Sequence, residues 1–457
     1  MNVTSTLSEW ATGLRFEDLP AEVVDAARRF LYDTIGCALG GYRMHDVKLY
    51  LHYLDFLGGR GDCHLFGSGV TTNAVESAMA NALMVRAMDY NDIYWKQDPS
   101  HPSDLIPGVL SLAEQEGLDG KEAIVGIVLA YEVEMRLCEA AIPGIRERGW
   151  HHATLTAFAS PVAAARMLRL STEQMVNAIG ISGCHQHTLG CVTAGKLGMM
   201  KNTVDPMATR AGVEAALLAR LGYNGPAHVI DGKEGMVHCL GKDWDLSRLT
   251  EGLGESFRIV QCGMKAYPTE ALTHSPITAT LQLLKEHKLA AESIREVRIE
   301  TIARAADILS DPSKYDPRTK ETADHSLPYC IAAALADGQV TPQQFTDEKI
   351  LSDRVRAQLP KVKVVANEEF EKLFPAKQST RVTIVTTGGK EHVKRVDVPK
   401  GDPRDPMTES DLKVKFNALA EPIMTAARCD RIREAVMGFE TLGSVTELMK
   451  LCVADRN

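Results

Sequence analysis

With 457 residues the chain is too long for one ordinary hydrophobic core, so two to three domains are expected. Its 45% hydrophobic and 24% charged residues are those of a globular protein. A net charge of −9 without long Lys/Arg runs argues against nucleic acid or an anionic membrane surface as partner, yet permits a small anionic substrate in a local cationic pocket.

In chain order, the segment from Met1 to Trp10 has neither a basic nor an apolar targeting region, and the apolar run Ala123–Tyr131 is far too short to span a membrane. From Pro20 to about Gly254 the periodicity is helical. Ala21–Leu39 sets Val23, Val24, Ala27, Phe30, Leu31 and Ile35 on one stripe and is predicted to end at a Gly40-Gly41 cap. The helical run Ala78–Met88 leads into Asp89–Asp104, which holds four aspartates, Asn91, His101, three large aromatics and two prolines. Pro99 and Pro102 forbid continued helix, so this segment is predicted to be a loop lining a pocket or covering the surface. Ser171 to Gln174 form a capping box ahead of Met175–Ile181, and Pro206–Leu221 is an Ala-rich helix stopped by Gly222.

After Lys265 the pattern changes. Strands are predicted at Arg295–Thr301, Lys361–Val365, Arg381–Thr387 and His392–Val398, the last two as a hairpin around Gly388-Gly389. Helices are predicted near Ser326–Leu335 and Asp347–Gln358, and helix returns from Thr408 to Cys452. The expected fold is mainly α with α+β: a helical domain of residues 1–265 and 401–457, discontinuous in sequence, with a smaller α+β lid domain of residues 266–400 inserted. The ten cysteines are scattered without a Cys-x-x-Cys pair, as in reduced core residues, which points to a cytoplasmic type of compartment.

Four further polar clusters interrupt the apolar helices: Arg148–Thr154 with His151 and His152, Met199–Asn202 with Lys201, Lys265–His274, and Asp324–Tyr329. Two have a bland reading, the histidines as helix caps and Lys201 as a snorkelling side chain. His151, His152, His185 and His187 offer metal ligands, but no His-Glu-x-x-His spacing accompanies them and no metal is expected. Nor is there a dinucleotide fingerprint, a P-loop or a nucleophile elbow. Acid–base chemistry by His, Lys, Asp and Tyr without a cofactor remains.

These clusters, in this order, resemble the MmgE/PrpD family, which includes 2-methylcitrate dehydratases and cis-aconitate decarboxylases. The motifs are Asp89–Asp92 running into His101-Pro-Ser-Asp104, Gly149–Thr154, Met200-Lys-Asn202, Lys265-Ala-Tyr-Pro268, Asp324–Tyr329 and Gly401–Phe416. The resemblance spans essentially the whole chain and implies a homodimer active without metal or nucleotide. It places Asp89, His101, Lys201 and Lys265 on active-site positions. His152 matches the next histidine, with His151 where dehydratase-like members carry Asp; other members place that histidine directly after the aromatic. Asn91, Tyr94, His151, Tyr267, Glu270 and His325 complete the substrate-binding set.

Three details of the resemblance lean toward dehydration: twelve residues from Asp89 to His101, the Pro-Ser-Asp ending, and Glu270 where decarboxylase-like members tend to carry histidine. The Asp324-His325 pair points the same way. Ile93 departs from the family's usual threonine, which removes a possible hydrogen bond to the 2-methylcitrate-like substrate that the resemblance implies. The leading expectation is a hydro-lyase acting on a small di- or tricarboxylic hydroxy acid. His152 and Asp89 would share acid–base work, His101 would orient substrate or protonate the leaving group, and Lys201 and Lys265 would clamp carboxylates. The alternatives are a decarboxylase or epimerase using the same pocket, and a binding protein without turnover.

Overall fold

The computed structural model describes residues 2–194, 197–241 and 243–455. The chain divides into two compact units, Met1–Gly195 with Met199–Cys262 and Thr408–Asn457, and Lys196–Gly198 with Gly263–Met407.

The first unit is helical: α1 (Val3–Gly13), α2 (Ala21–Gly41), α3 (His45–Leu57), α4 (Ala74–Arg86), α5 (Ile106–Gln115), α6 (Gly120–Ala140), α7 (Ala153–Met167), α8 (Thr172–His185) and α9 (Met200–Arg220). Two short hairpins interrupt it, β1 (Cys63–His64) with β2 (Thr71–Thr72) and β3 (Asp92–Trp95) with β4 (Pro99–Ser100). Every residue of α7 is buried, and α7 packs against α6, α8 and α9, while α9 also packs on α4. A helix apolar all round belongs at the centre of a bundle, and α7 sits there.

Small residues set the spacing. A Cβ on Gly212 of α9 would lie 2.1 Å from Ser160 Oγ of α7, and that hydroxyl donates to the Thr209 carbonyl at 2.9 Å. Pro161 lacks the N–H that would reach the Ala157 carbonyl one turn back; Ser182 Oγ on α8 donates to that carbonyl instead, at 2.6 Å.

In this unit three predicted elements differ. Helix α2 runs through Gly40 and Gly41 rather than capping there, because Gly41 is needed for packing: a Cβ would stand 1.9 Å from the Met84 carbonyl of α4. Helix α9 begins at Met200, so Pro206 lies inside it, and burial of Asn202, Val204 and Asp205 outweighs one lost backbone bond. The Asp89–Asp104 segment is no open loop. Tyr94 pairs with Ser100 and Trp95 with Pro99, a 3-10 turn follows at Pro102–Leu105, and Asp92, Asp98 and Asp104 are fully buried.

After the second unit, Glu409–Ala420, Ala426–Met437 and Val445–Leu451 return the chain to the helical one. Lys415 is buried there, with Nζ 2.7 Å from Asp33 Oδ1 of α2 and donating to the Tyr90 carbonyl, also at 2.7 Å. The residue after Asp89 is thereby anchored by the last part of the sequence.

The second unit holds β5 (Gly263–Met264), β6 (Ile294–Thr301), β7 (Val362–Ala366), β8 (Thr380–Thr386) and β9 (Glu391–Val396). The last four form one sheet in the order β7-β6-β8-β9, parallel between β6 and β7 and antiparallel elsewhere. Val297, Ile299, Val382 and Ile384 are fully buried, and helix His274–His287 packs on β8 and β9. The helix expected at Asp347–Gln358 is broken into Asp347–Ile350 and Asp353–Arg356. Ile350 and Val355, both buried, are five residues apart, about 140° around a continuous helix, and the break brings both inward.

No helix among the described residues is long and apolar enough to cross a membrane. Gly212→Ala is expected to destabilise by about 1–3 kcal/mol through overpacking. Gly13→Ala, with nothing within 4 Å of the new methyl, should stay within about 0.5 kcal/mol of the parent. Urea unfolding of the two variants checks this.

Candidate active site

Within the helical unit the polar clusters converge on Arg86, the last residue of α4, whose side chain is 3% exposed. Asp89 follows one turn later with φ of 51°, a left-handed conformation that Asp tolerates better than most residues. It turns the carboxylate back: Oδ1 pairs with Arg86 Nη1 and lies 3.1 Å from Lys201 Nζ. Arg86 Nε is also 3.5 Å from Asp104 Oδ2 and 3.7 Å from Asp205 Oδ2. Arg86 thus faces three buried carboxylates, one of them shared with Lys201.

The acids do not ionise alike. Burial pushes Asp104 well above the usual carboxylate range, reinforced by the charge of Asp205 and opposed by Arg86. Asp205 goes the other way: despite burial, the His152 ring, with His151 and Arg86, holds it far below that range. Burial favours a protonated Asp104, while Asp205 stays charged beside His152 and Arg86. Glu134 of α6, taking a hydrogen bond from Thr156 Oγ1 at 3.0 Å, is also pushed well up, by burial and then by the charge of Asp205.

The hairpin supplies the first imidazole. Ser103 donates to Asp92 twice, N–H to Oδ2 at 3.0 Å and Oγ to Oδ1 at 2.6 Å, which closes the turn before α5. His101 Nδ1 lies 2.7 Å from the Asp92 carbonyl. A carbonyl only accepts, so Nδ1 carries the proton and Nε2 is the basic nitrogen. The second imidazole, His152, stands at the entrance to α7 with its ring centroid 5.4 Å from that of His101 and its Nε2 3.4 Å from Asp205 Oδ1.

His151 and His152 stack with centroids 3.9 Å apart but do different things. His151 Nδ1 accepts from the Ala153 N–H at 3.2 Å, a capping role, and burial followed by the charge of His152 holds its pKa well below the usual histidine value. Donor atoms of His151, His152 and Asp205 lie within 4.8 Å of one another, the one such group among the described residues. It does not read as a metal set: His151 Nδ1 is taken by a backbone N–H, and Asp205 already faces the Arg86 guanidinium.

Of the other predicted residues in this unit, Asn91 donates to Ser103 Oγ at 2.9 Å and Asp104 Oδ1 at 3.0 Å, and the Tyr94 hydroxyl donates to Glu139. Both brace the hairpin. Ile93 is half-buried on β3, beside Asp92.

The second unit carries Lys265, Tyr267, Glu270 and His325. Lys265 is buried. Tyr267 OH is 3.2 Å from Thr278 Oγ1, its ring meets His274 edge-on, and burial raises its pKa. Glu270 caps the turn Ala271–Thr273 through Leu272 N–H at 2.7 Å, and its own N–H donates to the Asp324 carbonyl. Asp324 bridges His325 Nδ1 at 2.6 Å and Lys320 Nζ at 2.8 Å.

Sequence reasoning did not single out Arg86, Asp104 as an acid beside it, Glu134 or Asp205. Arg86 ends an apolar helix, and Asp205 precedes a proline that was read as a helix start. The one available signal was an ionisable residue on the apolar stripe of a small-residue helix.

Comparison with known proteins decides the family. The model of the MmgE/PrpD N-terminal domain matches residues 5–249 and that of the C-terminal domain matches residues 267–441. The chain belongs to the MmgE/PrpD family. Among its relatives, the cis-aconitate decarboxylase-like protein oryM of Aspergillus oryzae is 28% identical over 98% of this chain and 97% of its own. The cis-aconitate decarboxylase of Aspergillus terreus is 26% identical over 98% and 95%. The 2-methylcitrate dehydratase of Cupriavidus necator is 24% identical over 82% and 80%. The MmgE/PrpD domains therefore include all the clusters from Asp89 to Tyr329 except Lys265 and Ala266, which lie between the two matched regions.

Burial raises the Asp92 carboxyl to about 6, against the hydrogen bonds from Ser103 and Tyr131. An acid raised above its unfolded value of about 3.9 binds more protons when folded, so stability falls as pH rises from about 4 to 6. Asp92→Asn removes that slope together with an acceptor for Ser103. The melting temperature of the parent should exceed that of the variant most near pH 4.5 and less at pH 7; a constant gap would refute the buried, raised carboxyl.

Proposed function

We propose that this MmgE/PrpD protein is a cofactor-independent lyase acting on a small di- or tricarboxylic hydroxy acid, with elimination of water as its reaction. The observation that carries the reading is the dry cluster in which His101 and His152 stand 5.4 Å apart beside Lys201, Arg86 and their carboxylates. Loss of water needs a base for the proton next to a carboxylate and an acid for the departing hydroxide, and two neighbouring imidazoles suit those tasks. Carbanion-like charge and substrate carboxylates need cations in a low-dielectric site, which Lys201 supplies within the helical unit. Asp89, shared by Arg86 and Lys201, serves this reading best as the group that holds the lysine in place. Within the helical unit Asn91, Tyr94 and His151 shape the surroundings.

A second reading, decarboxylation, is favoured by the two relatives of 28% and 26% identity, which are named for cis-aconitate decarboxylation and match over nearly the whole chain. Both reactions begin with charge developing next to a carboxylate. A product screen by NMR on methylcitrate, citrate, aconitate and their analogues, run with EDTA, separates them. An alkene with unchanged carbon count supports dehydration, CO2 release without hydration or dehydration replaces it, and dependence on added metal removes the cofactor-free mechanism.

Lys201→Met is expected to lower turnover by at least about a hundredfold. Asp89 keeps its Arg86 partner, so the melting temperature should move little; collapse of the fold would make Lys201 structural. A homodimer belongs to the same proposal. On α3, Leu49, Tyr53 and Phe56 follow helical spacing and are 49%, 48% and 85% exposed, an apolar stripe suited to a second copy. Light scattering should give twice the chain mass for the parent and less for Phe56→Glu.

A further inference from the structure

His152 has no hydrogen bond that would fix its ring except through one neighbour. Its Nε2 lies 3.4 Å from Asp205 Oδ1, and neither ring nitrogen has another partner among the described residues. Asp205 is 1% exposed on α9, and its other oxygen lies 3.7 Å from Arg86 Nε. Arg86 in turn holds Asp89, which reaches Lys201 on the first turn of α9. The chain His152–Asp205–Arg86–Asp89–Lys201 joins the ends of three helices, α7, α9 and α4, through side chains that are all buried.

We propose that Asp205 is a positioning residue for His152: its carboxylate accepts a hydrogen bond from Nε2–H, fixes the ring and its tautomer, and leaves Nδ1 as the basic nitrogen. The inference rests on the acid–base reading of His152 given above. A carboxylate behind an imidazole stabilises the imidazolium that forms when the ring takes a proton, without taking that proton itself. His101 is backed by a neutral carbonyl, so the two rings differ in kind: a carboxylate stands behind His152 and only a carbonyl behind His101. Arg86 keeps Asp205 ionised and stops it from turning away. The 3.4 Å contact is long for a hydrogen bond, as contacts of this kind often are before substrate tightens them.

The test uses the full-length protein with 15N-labelled histidine and the variants Asp205→Asn and Asp205→Glu, with His152→Gln assigning the ring signals. The parent is expected to show His152 protonated on Nε2, with a low-field proton typical of a charge-assisted bond. In Asp205→Asn that proton should move upfield or vanish and kcat should fall about a hundredfold to ten-thousandfold, with KM changed less than about threefold. Asp205→Glu, which keeps the charge, should recover part of the signal. An Nδ1-protonated ring in the parent, or a His152 spectrum unchanged by Asp205→Asn, overturns the assignment; if Asp205→Asn does not fold, the parent tautomer alone decides. Should the ring respond as expected while the product screen finds no turnover, Asp205 still orients His152 and the lyase reading falls. Turnover with an unresponsive ring gives the reverse result.

Discussion

One buried guanidinium organises the helical unit. Arg86 lies within reach of Asp89, Asp104 and Asp205, drawn from the end of α4, the turn before α5, and α9. Taking such charges out of water costs several kcal/mol each, and only their mutual attraction offsets it. Removing Asp89 and Asp205 would leave the Arg86 guanidinium an uncompensated buried charge, so these segments must arrive together. The left-handed turn at Asp89, the hairpin closed by Ser103 and the start of α9 all follow from that requirement. Precision is what such a cluster confers: groups held by several partners in a dry site have little freedom to wander, and small misplacements are costly in catalysis.

Much of this was legible in the sequence, for identifiable reasons. The capping box at Ser171 and the hairpin from Arg381 to Val398 rest on local rules, and both appear. His101, His152, Asp89 and Lys201 stood out as ionisable residues in apolar surroundings, and they lie in one cluster. What escaped was decided by contacts distant in sequence. Gly41 looks like a cap until Met84 is beside it, and Pro206 looks like a helix start until Asp205 is needed inside. The helix expected at Asp347–Gln358 fails because two buried side chains demand the same direction from positions out of phase. Arg86 and Asp205 were invisible for a similar reason, since a charge on an apolar helix reveals its purpose only through its partners.

Neighbouring residues with the same chemistry were also sorted by geometry alone. His151 and His152 are adjacent and stacked, yet one caps a helix and the other faces a carboxylate. The difference comes from where α7 begins: its first free N–H groups take the His151 nitrogen, leaving the next ring without a backbone partner. Asp92, Asp98 and Asp104 share one short segment and are equally buried, yet Asp92 closes a turn through Ser103, Asp98 accepts the Ile145 and Arg146 N–H groups, and Asp104 stands against Arg86. Composition told that this segment was special but not which member did what.

The Lys415 anchor sets an order of events during synthesis. Its ammonium binds the Tyr90 carbonyl and Asp33, more than three hundred residues earlier in the chain. A ribosome has already made Asp89, His101, His152 and Lys201 long before it reaches this lysine. Until then neither Asp33 nor the backbone beside Asp89 can have this partner. The growing chain therefore carries every element of the cluster for most of its translation while the last support is still missing. Assembly of the candidate site is tied to the late part of the message, and a nascent chain released early would hold the chemistry in sequence without the geometry to use it.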